Sequence, residues 1–487
     1  MTDRLRILVD TNVLIPLQDS FVVLEDNLKN LIRLANTGGH QLVYHPASIA
    51  DINRDNNEAR RNRTLARLPQ YAVLEHVSRS PLNTSMTSPN DACDNDILHA
   101  LKCDAAHVLV SEDKKLHVAA KRLGLADRTY TIQMAEHWLR RLVEPTEVRI
   151  PNVDDVPMHS LTQELDRDFF NSLREGYPGF DDWFRLKART GRKAWVTRGA
   201  DGYAEAICVY TVQEREPIND AKDVLQGKAL KLCTFKVGER VRGRKIGELF
   251  LKAAFRYATE NYCEHVFLTT SHEQTYLQLL LEDFGFEERG TYGGDQVFVK
   301  RHPIEAPALE LPPLDFVRKL FPHYRHDASV QKFIVPIQPR YHKTLFPELE
   351  PQSQLFGTGA TPGNAIKQAY ICKSNTKKPK VGDIVLFYRT DDEKAITSIG
   401  VIERFESHDD PNTIMRIVSR RTVYSQKEIV EMTQEPMKVM LFRLIGHFDH
   451  PVTFTALREM KIVNGTIQSI THIADAAFSK LIERSRR

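Results

Sequence analysis

The sequence lacks the cysteine pairs that mark a zinc ribbon or a disulfide framework. Its six cysteines, spread over 487 residues, never form a C-x-x-C pair or a tight Cys/His cluster. No run approaches the roughly 18 apolar residues of a membrane-spanning helix, and Asp10 and Asn12 interrupt the first apolar run, where a secretory signal needs continuity. We therefore expect a cytoplasmic protein with reduced thiols and no membrane partner.

A strong charge of either sign is also missing. The chain has 67 basic and 64 acidic side chains, so its overall charge gives no argument for binding nucleic acid. The balance is uneven along the chain, since residues 329–487 carry 23 basic and 17 acidic side chains. Such an excess is compatible with a surface for a phosphate backbone and equally with solvated faces.

The chain is too long for one ordinary hydrophobic core and is expected to contain several domains. In residues 1–148 short apolar runs alternate with helix-like stretches, in 149–302 strands surround one clear helix, and 329–487 is rich in strands and turn signals. Residues 303–328 contain five prolines, which favours a linker. The expected fold class is α/β multidomain: a parallel-sheet domain, a mixed α/β domain and a C-terminal β-barrel.

Acidic residues follow the apolar strands of the first segment. Asp10 comes directly after Ile7-Leu8-Val9, and Asp113 follows the next clear apolar run. Asp96 opens a helix that leads back to that run, and Asp51 stands where another helix begins. Open α/β sheets bind ligands at the carboxyl ends of their strands, so we expect these acids to bind Mg²⁺ or Mn²⁺ there. The alternative is that each acid only caps a helix or ends a strand at the surface.

The run from Ile7 to Leu14, together with these acids, resembles the PIN-domain family of metal-dependent ribonucleases over about residues 4–140. In that family four acids hold metal ions, which activate water and stabilise an in-line attack on a phosphodiester. Asp91 and Asp94 are interpreted as loop or helix-cap residues. The resemblance implies that the metal ligands, which are also the catalytic residues, are Asp10, Asp51, Asp96 and Asp113.

A basic, glycine-containing loop precedes the clear helix of the second segment. Residues 230–237 alternate like a strand, and Arg242-Gly243-Arg244-Lys245-Ile246-Gly247 then leads into the helix. Free amides and the helix dipole at such a start favour phosphate. No Gly-Lys-Ser/Thr follows, which excludes a Walker loop, and the three glycines of a Rossmann loop are absent.

This loop resembles the Gln/Arg-x-x-Gly-x-Gly/Ala motif of the GNAT acetyltransferases except at Lys245, and Phe284-Gly285-Phe286 matches the family's closing segment. The resemblance covers about residues 155–302 and implies that loop amides hold the pyrophosphate of acetyl-CoA while the preceding strand pairs with its pantetheine arm. Leu281 occupies the position where many members have a tyrosine acid, so no catalytic acid is assigned; Tyr276 and Tyr292 are nearby candidates. The implied cofactor-binding residues are Phe235, Val237, Arg242, Gly243, Arg244, Lys245, Ile246 and Gly247.

The third segment resembles the PUA-like domains of the ASCH and EVE group. The resemblance rests on Gly382-Asp383, the apolar strand after it, and Gly400-Val401-Ile402. Such domains recognise RNA or a modified base, which implies an RNA partner. The residues that could contact RNA, each of which could equally pack inside a barrel, are Tyr341, His342, Lys343, Asn364, Lys367 and Tyr388.

Together the resemblances predict an RNA-directed enzyme that combines an acetyl-CoA-dependent N-acetyltransferase with a metal-dependent endoribonuclease. A tRNA is one candidate target, and a toxin or defence role would fit both enzyme families by analogy. Two alternatives stay open. The chain could be an RNA-binding regulator that senses acetyl-CoA with one or both catalytic sites inactive, or it could be a protein lysine acetyltransferase.

Overall fold

A computed structural model describes most of the chain. The described residues are 4–18, 26–77, 80–81, 89–144, 152–199, 201–238, 245–350, 361–362, 365–418, 421, 424, 426–433 and 435–486. The chain divides into two compact units, Met1–Glu147 and Val148–Arg487. No described helix combines the length and the apolarity needed to cross a membrane.

The first unit is built on one parallel sheet. Its strands are β1 (Arg6–Val9), β2 (Gln41–Tyr44), β3 (Ala72–Val73), β4 (Val108–Val110) and β5 (Thr129–Tyr130). They lie in the order β3-β2-β1-β4-β5, and every neighbouring pair is parallel. The last three residues of β1 and all of β4 are buried, as expected for strands covered on both faces. The predicted parallel sheet is therefore confirmed.

Seven described helices connect or follow these strands. They are α1 (Thr11–Gln18), α2 (Asp26–Thr37), α3 (Ala47–Asn53), α4 (Glu58–Arg67), α5 (Pro89–Lys102), α6 (Lys114–Arg122) and α7 (Ile132–Val143). In α2 the apolar residues Leu28, Leu31 and Leu34 recur at helical spacing and are all buried, which fixes the face that packs on the core. Because β1 and β4 are neighbours, the residues that follow them, Asp10 and Ser111, meet at one edge of the sheet.

The second unit contains two mixed sheets. The strands of the larger one are β6 (Asn152–Pro157), β7 (Lys193–Arg198), β8 (Ala204–Glu214), β9 (Lys228–Val237), β10 (His265–Thr270), β11 (Glu287–Tyr292), β12 (Asp295–Arg301) and, from much further along the chain, β14 (Thr361–Pro362). Their order is β11-β12-β10-β9-β8-β7-β6-β14, and β9 with β10 is its parallel pair.

The smaller sheet has six described strands. They are β13 (Lys332–Ile337), β15 (Lys367–Cys372), β16 (Ile384–Arg389), β17 (Ala395–His408), β18 (Met437–Thr453) and β19 (Thr471–Ile473). Their order is β15-β18-β17-β16-β13-β19. The two edge strands, β15 and β19, do not pair with each other in the described part of the chain, so the expected closed barrel is not formed there. The long strands β17 and β18 contain three register shifts, which bend the sheet without closing it.

The helices of the second unit cover both sheets. They are α8 (Asn171–Gly176), α9 (Phe180–Arg189), α10 (Ile246–Glu260), α11 (Thr275–Asp283), α12 (Pro313–Leu320), α13 (Pro339–Leu345), α14 (Pro411–Val418), α15 (Gln426–Met432), α16 (Phe454–Glu459) and α17 (Asp475–Ser485). Short 3₁₀ turns lie at Leu68–Gln70 and Ala126–Arg128 in the first unit and at Met158–Glu164, Asp168–Phe170 and Pro347–Leu349 in the second.

The proline-rich stretch 303–328, expected to be a linker, contains a packed helix instead. Helix α12 starts with Pro313 in its first turn, where the missing N–H of proline is tolerated. Its Phe316, Val317 and Leu320 are buried, and the ammonium of Lys300 donates hydrogen bonds to carbonyls in its last turn. Helix α12 is therefore part of the second unit's core, whereas residues 304–306 and 308–310 are exposed.

Candidate functional site

Backbone and side-chain hydrogen bonds hold Asp10 at the carboxyl end of β1. Its N–H donates to the carbonyl of Val110 at 3.0 Å, and its Oδ1 accepts from the N–H of Thr11 at 2.7 Å. Its Oδ2 accepts from Asn12 Nδ2 at 2.8 Å and from the Ser111 hydroxyl at 2.7 Å. Burial raises the pKa of Asp10 above its ordinary value, although the bonds from Ser111 and Thr11 oppose that shift.

Asp51 and Asp113 approach the same edge of the sheet from two other elements. Asp51 lies in α3, where one oxygen accepts from the Thr11 hydroxyl and the other pairs with Arg54 at 2.8 Å. Asp113 caps α6 by accepting from two N–H groups of its first turn, and its own N–H donates to the Ser111 hydroxyl at 3.0 Å. The hydroxyls of Thr11 and Ser111 thus join the three acids in one network.

The fourth acid at this edge is Asp94, in α5. Burial, followed by the charges of Asp10, Asp113 and Asp51, raises the pKa of Asp94 to about 7. The largest causes of this shift are burial and other carboxylates. Asp94 therefore lies among negative charges, of which Asp51 is paired with Arg54.

Asp96, which the sequence analysis placed in the metal site, points elsewhere. One of its oxygens accepts a hydrogen bond from the N–H of Ser80 at 2.7 Å. Side chains two positions apart on a helix are rotated by about 200° around the helix axis, so Asp94 and Asp96 cannot face the same point. The signal that identifies Asp94 is helical spacing, since it lies three and four residues before the buried Ile97 and Leu98.

The chemistry of the four carboxylates, Asp10, Asp51, Asp94 and Asp113, fits a hard divalent cation such as Mg²⁺ or Mn²⁺. The mutual proximity of the acids around Asp94 is compatible with this chemistry. Several of the oxygens are hydrogen-bonded to other side chains or to a helix start. Among the residues that the structure describes, no three His, Cys, Asp or Glu side chains are drawn close enough together to hold one ion.

In the second unit the larger sheet opens along β9. Residues Ala229–Leu232 pair in parallel with His265–Leu268 of β10, and beyond Leu232 no described strand pairs with β9 on that side. Strand β8 continues to pair with β9 as far as Val237, with Cys233 as an extra bulged residue. The backbone from Cys233 to Val237 therefore has one open edge, which can form hydrogen bonds with an extended ligand.

Helix α10 begins beside this open edge. Its first residue, Ile246, is buried, and a Cβ on Gly247 would lie 3.0 Å from Leu280 and 3.7 Å from Phe235. A glycine therefore makes room for Leu280 of α11, while Phe235 of β9 lies at an ordinary contact distance. Phe235 also packs edge-on against Phe250 of α10, with ring centroids 5.6 Å apart. The structure thus brings Phe235 and the helix start together, with Val237 at the end of the same open strand.

Lys245 stands at the N-cap of α10 with φ of 56°, in the left-handed region. This is the position at which the GNAT motif has glycine, a residue that adopts such a conformation without strain. The ammonium of Lys245 donates to the carbonyl of Lys367 at 3.2 Å, which turns the side chain toward β15. The other predicted loop residues, Arg242, Gly243 and Arg244, lie outside the described residues, and their role stays a prediction.

The predicted positions for a catalytic acid give no clear candidate. Leu281 is fully buried in the core and has no titratable group. Tyr276 is half-buried in α11, and Tyr292 is 53% exposed at the end of β11. Transfer at the open edge would then depend on holding the two reactants together rather than on a tyrosine acid.

Three of the six residues considered for RNA contact have partners within the second unit or are buried there. His342 is fully buried and its Nε2 lies 2.8 Å from the Thr397 hydroxyl, while Tyr388 is 5% exposed. Lys367 pairs with Asp283. Tyr341 is half-buried, Lys343 is exposed, and Asn364 lies outside the described residues.

Comparisons with known proteins give only distant likenesses. No family model matches the sequence, and no curated protein matches it. Among solved structures, the ASCH protein of Zymomonas mobilis is 16% identical, covering 31% of this chain and 94% of that one with a TM-score of 0.25. An acetyltransferase of the GNAT family from Staphylococcus aureus is 14% identical, covering 31% and 99% with a TM-score of 0.24.

A third solved structure is NAA60 of Arabidopsis thaliana in complex with acetyl-CoA. It is 15% identical, covering 31% of this chain and 99% of that one, with a TM-score of 0.24. TM-scores of this size are below the level at which two chains share an overall fold. The geometry described above therefore carries the functional argument.

Proposed function

We propose that the second unit is an acetyl-CoA-dependent N-acyltransferase and that RNA or a component of RNA is its acceptor. The observation that supports the first part is the open edge of β9 beside the start of α10. An unpaired strand edge suits the amides of a pantetheine arm, and a helix N-terminus suits a pyrophosphate. RNA as acceptor follows from the resemblance of residues 329–487 to an RNA-binding module and from their basic excess.

In this proposal the division into 1–148, 149–302 and 329–487 is functional: cleavage, acyl transfer and RNA recognition. The residues from Phe235 to Gly247 hold acetyl-CoA, and the amine of the acceptor attacks its thioester carbonyl. Proximity and orientation supply most of the acceleration, since Leu281 cannot donate a proton.

The test compares two double charge reversals. R242E/R244E places two negative charges in the loop proposed to hold the pyrophosphate, and K377E/K378E makes the same change at two exposed lysines of a turn. Calorimetric titration should show acetyl-CoA binding by the wild type and by K377E/K378E, with at least a ten-fold weaker Kd for R242E/R244E. Equal affinities for all three proteins would contradict the proposed cofactor site.

A second candidate function, metal-dependent cleavage of RNA by the first unit, is favoured by the position of Asp94 among three other acids. A bound Mg²⁺ or Mn²⁺ would activate water and neutralise charge at the phosphodiester. The chain's own contribution is to fix the acids: Thr11 and Asn12 orient Asp10, and the start of α6 orients Asp113.

Two substitutions in one helix test this site. Asp94→Asn should abolish Mn²⁺-dependent RNA cleavage, because it removes a carboxylate from the cluster. Asp96→Asn is the matched control and should leave cleavage unchanged, since Asp96 is hydrogen-bonded to the loop at Ser80. Equal loss in both variants, or cleavage that survives Asp94→Asn, would contradict the assignment. Binding of acetyl-CoA without either reaction would instead support the regulator that senses acetyl-CoA.

A further inference from the structure

Three cations surround the bulge at which β9 separates from β10. The guanidinium of Arg192 lies 3.7 Å from the sulfur of Cys233, the bulged residue. Burial raises the pKa of the Cys233 thiol, and the charges of Arg192, Lys231 and Lys187 oppose that shift. Lys187 comes from the end of α9, Arg192 from the turn before β7, and Lys231 from β9 itself. Three separate elements thus contribute positive charge near Cys233, and the ammonium of Lys231 lies 5.7 Å from the ring centroids of both Phe267 and Tyr292.

None of these three side chains is within ion-pair distance of a carboxylate in the described part of the chain. Other cations of the same region are paired: Arg174 with Asp181 at 3.3 Å, Lys193 with Asp155 at 3.2 Å, and Arg198 with Glu164 at 2.9 Å. Lys187, Arg192 and Lys231 are each half-buried, so solvent screens their charges less than at an open surface. A converging, unneutralised set of cations attracts an anion.

The cations lie on the face of the sheet opposite α10. Cys233 packs with the core that includes Ala194 and Val209 under α9, whereas Leu232 and Phe235 pack with the core that includes α10. Helix α10 covers one face of β9 and the core under α9 covers Cys233 on the other. The groups that an acceptor on this second face would meet are therefore the half-buried side chains of Lys187, Arg192 and Lys231.

We propose that Lys187, Arg192 and Lys231 bind a phosphate group of the acyl acceptor, close to the amine that is acylated. The inference rests on the proposed acyltransferase function and adds the class of substrate. Three cations suit a group with more than one negative charge, and the planar fork of arginine matches phosphate geometry. In the reaction the amine nitrogen forms a bond to the acyl carbon, the C–S bond of acetyl-CoA breaks, and the proton lost by the nitrogen offsets the charge of the departing thiolate.

The experiment uses acceptor pairs that differ by phosphate. Phosphoethanolamine is compared with ethanolamine, and total RNA with the nucleosides made from it. Glycyl-glutamate is a further acceptor, whose negative charge comes from carboxylates instead of phosphate. We expect the phosphate-bearing member of at least one pair to have a kcat/KM at least ten-fold higher than its partner. The triple variant K187Q/R192Q/K231Q should reduce this ratio below two-fold, mainly through KM, with an unchanged Kd for acetyl-CoA.

Two further variants keep the result interpretable if the triple variant is unstable. K193Q removes the adjacent, paired lysine and should retain the full phosphate preference. R192K keeps the charge but loses the planar fork, and should give an intermediate ratio. Absence of any phosphate preference in the wild type, a preference for glycyl-glutamate, or a preference that survives in R192K and the triple variant would each overturn the inference. Failure of the wild type to bind acetyl-CoA would contradict the proposed function itself.

Discussion

The two units bury charge in opposite ways. In the first unit Asp94 lies among other carboxylates, and the causes of its raised pKa include no cation. In the second unit Asp283 and Glu403 are buried among cations: Arg443 bonds Glu403 at 2.5 Å and Asp283 at 3.0 Å, and Lys367 and Arg421 complete the set. Burial alone would raise the pKa of Asp283 and of Glu403, but the cations outweigh it and lower both.

This difference separates a structural cluster from a candidate site. The paired cluster joins the end of α11 to strands β15, β17 and β18, so it fastens the helix of the larger sheet to the smaller sheet. Its two carboxylates are each paired with cations, although Nη1 of Arg443 is buried without a hydrogen-bond partner among the described residues. The acids around Asp94 repel one another, which helps to raise the pKa of Asp94, and carboxylates perturbed in this way are candidates for functional sites.

The largest expected effect comes from breaking the paired cluster. Arg443→Met leaves Asp283 and Glu403 buried with less compensation and should lower the free energy of unfolding of the second unit by about 3–5 kcal/mol. Arg404→Met is the control, since Arg404 forms a partly exposed pair with Glu406 on the same strand, and should cost at most about 1 kcal/mol. Urea unfolding followed by hydrogen exchange measures the free energy of unfolding of both variants. A loss below about 1 kcal/mol for Arg443→Met would show that the cluster is not structural.

The second prediction concerns pH. The pKa of Asp94 is raised in the folded state to about 7, so the folded first unit retains a proton that the unfolded chain releases near 4. Its stability should therefore fall as the pH rises from about 4 to 7. The pKa values of Asp283 and Glu403 are lowered, so their contribution to the second unit is present above about pH 4 and is lost as the pH falls below it.

Peptide-resolved hydrogen exchange between pH 3 and 8 measures how the stability of each unit changes with pH, and so tests these opposite trends. Asp94→Asn should remove much of the fall in the stability of the first unit with rising pH, and should leave the pH dependence of the second unit unchanged. If the stability of both units changed with pH in the same direction below pH 7, and Asp94→Asn had no effect on that change, the comparison would be contradicted.

A smaller change should follow from Asp10→Asn. Removing the charge of Asp10 eliminates one cause of the raised pKa of Asp94, so the pKa of Asp94 should move back toward its ordinary value. A carboxyl NMR titration of protein labelled at aspartate, assigned with Asp94→Asn, measures this shift. An unchanged titration would mean that the charge of Asp10 does not perturb Asp94.

The smallest effect is expected at Lys245. Lys245→Gly removes the strain of a left-handed lysine, worth about 1 kcal/mol, but also loses the hydrogen bond to Lys367, which is of similar size. We therefore expect a change in the free energy of unfolding within about 1 kcal/mol. A loss well above that in thermal unfolding would show that Lys245 helps to join the two sheets.

The strands of the first unit were predictable because apolar runs such as Ile7-Leu8-Val9 are long enough to require burial on both faces. The acids that end those strands follow from the same pattern. The spacing of Asp94 and Asp96 does not by itself show which of them faces the edge of the sheet. That choice requires knowing which face of α5 is buried.

In the second unit the strand and helix that form the open edge were predicted, but the helix in the expected linker was not. Prolines at 312 and 313 indicate a break locally, yet Pro313 occupies the one turn of a helix that accepts it, and burial of Phe316 and Leu320 then stabilises the helix. The cations at Cys233 come from residues up to 44 positions apart in sequence, at 187, 192 and 231, and only the sheet brings them together.

The short strand β14 pairs with β6, so the larger sheet is completed by residues that follow the first strand of the smaller one. The larger sheet therefore depends on a segment from the part of the chain that forms the smaller one. Cutting the chain between residues 303 and 328 would leave β6 as a bare edge, and bare edges promote aggregation.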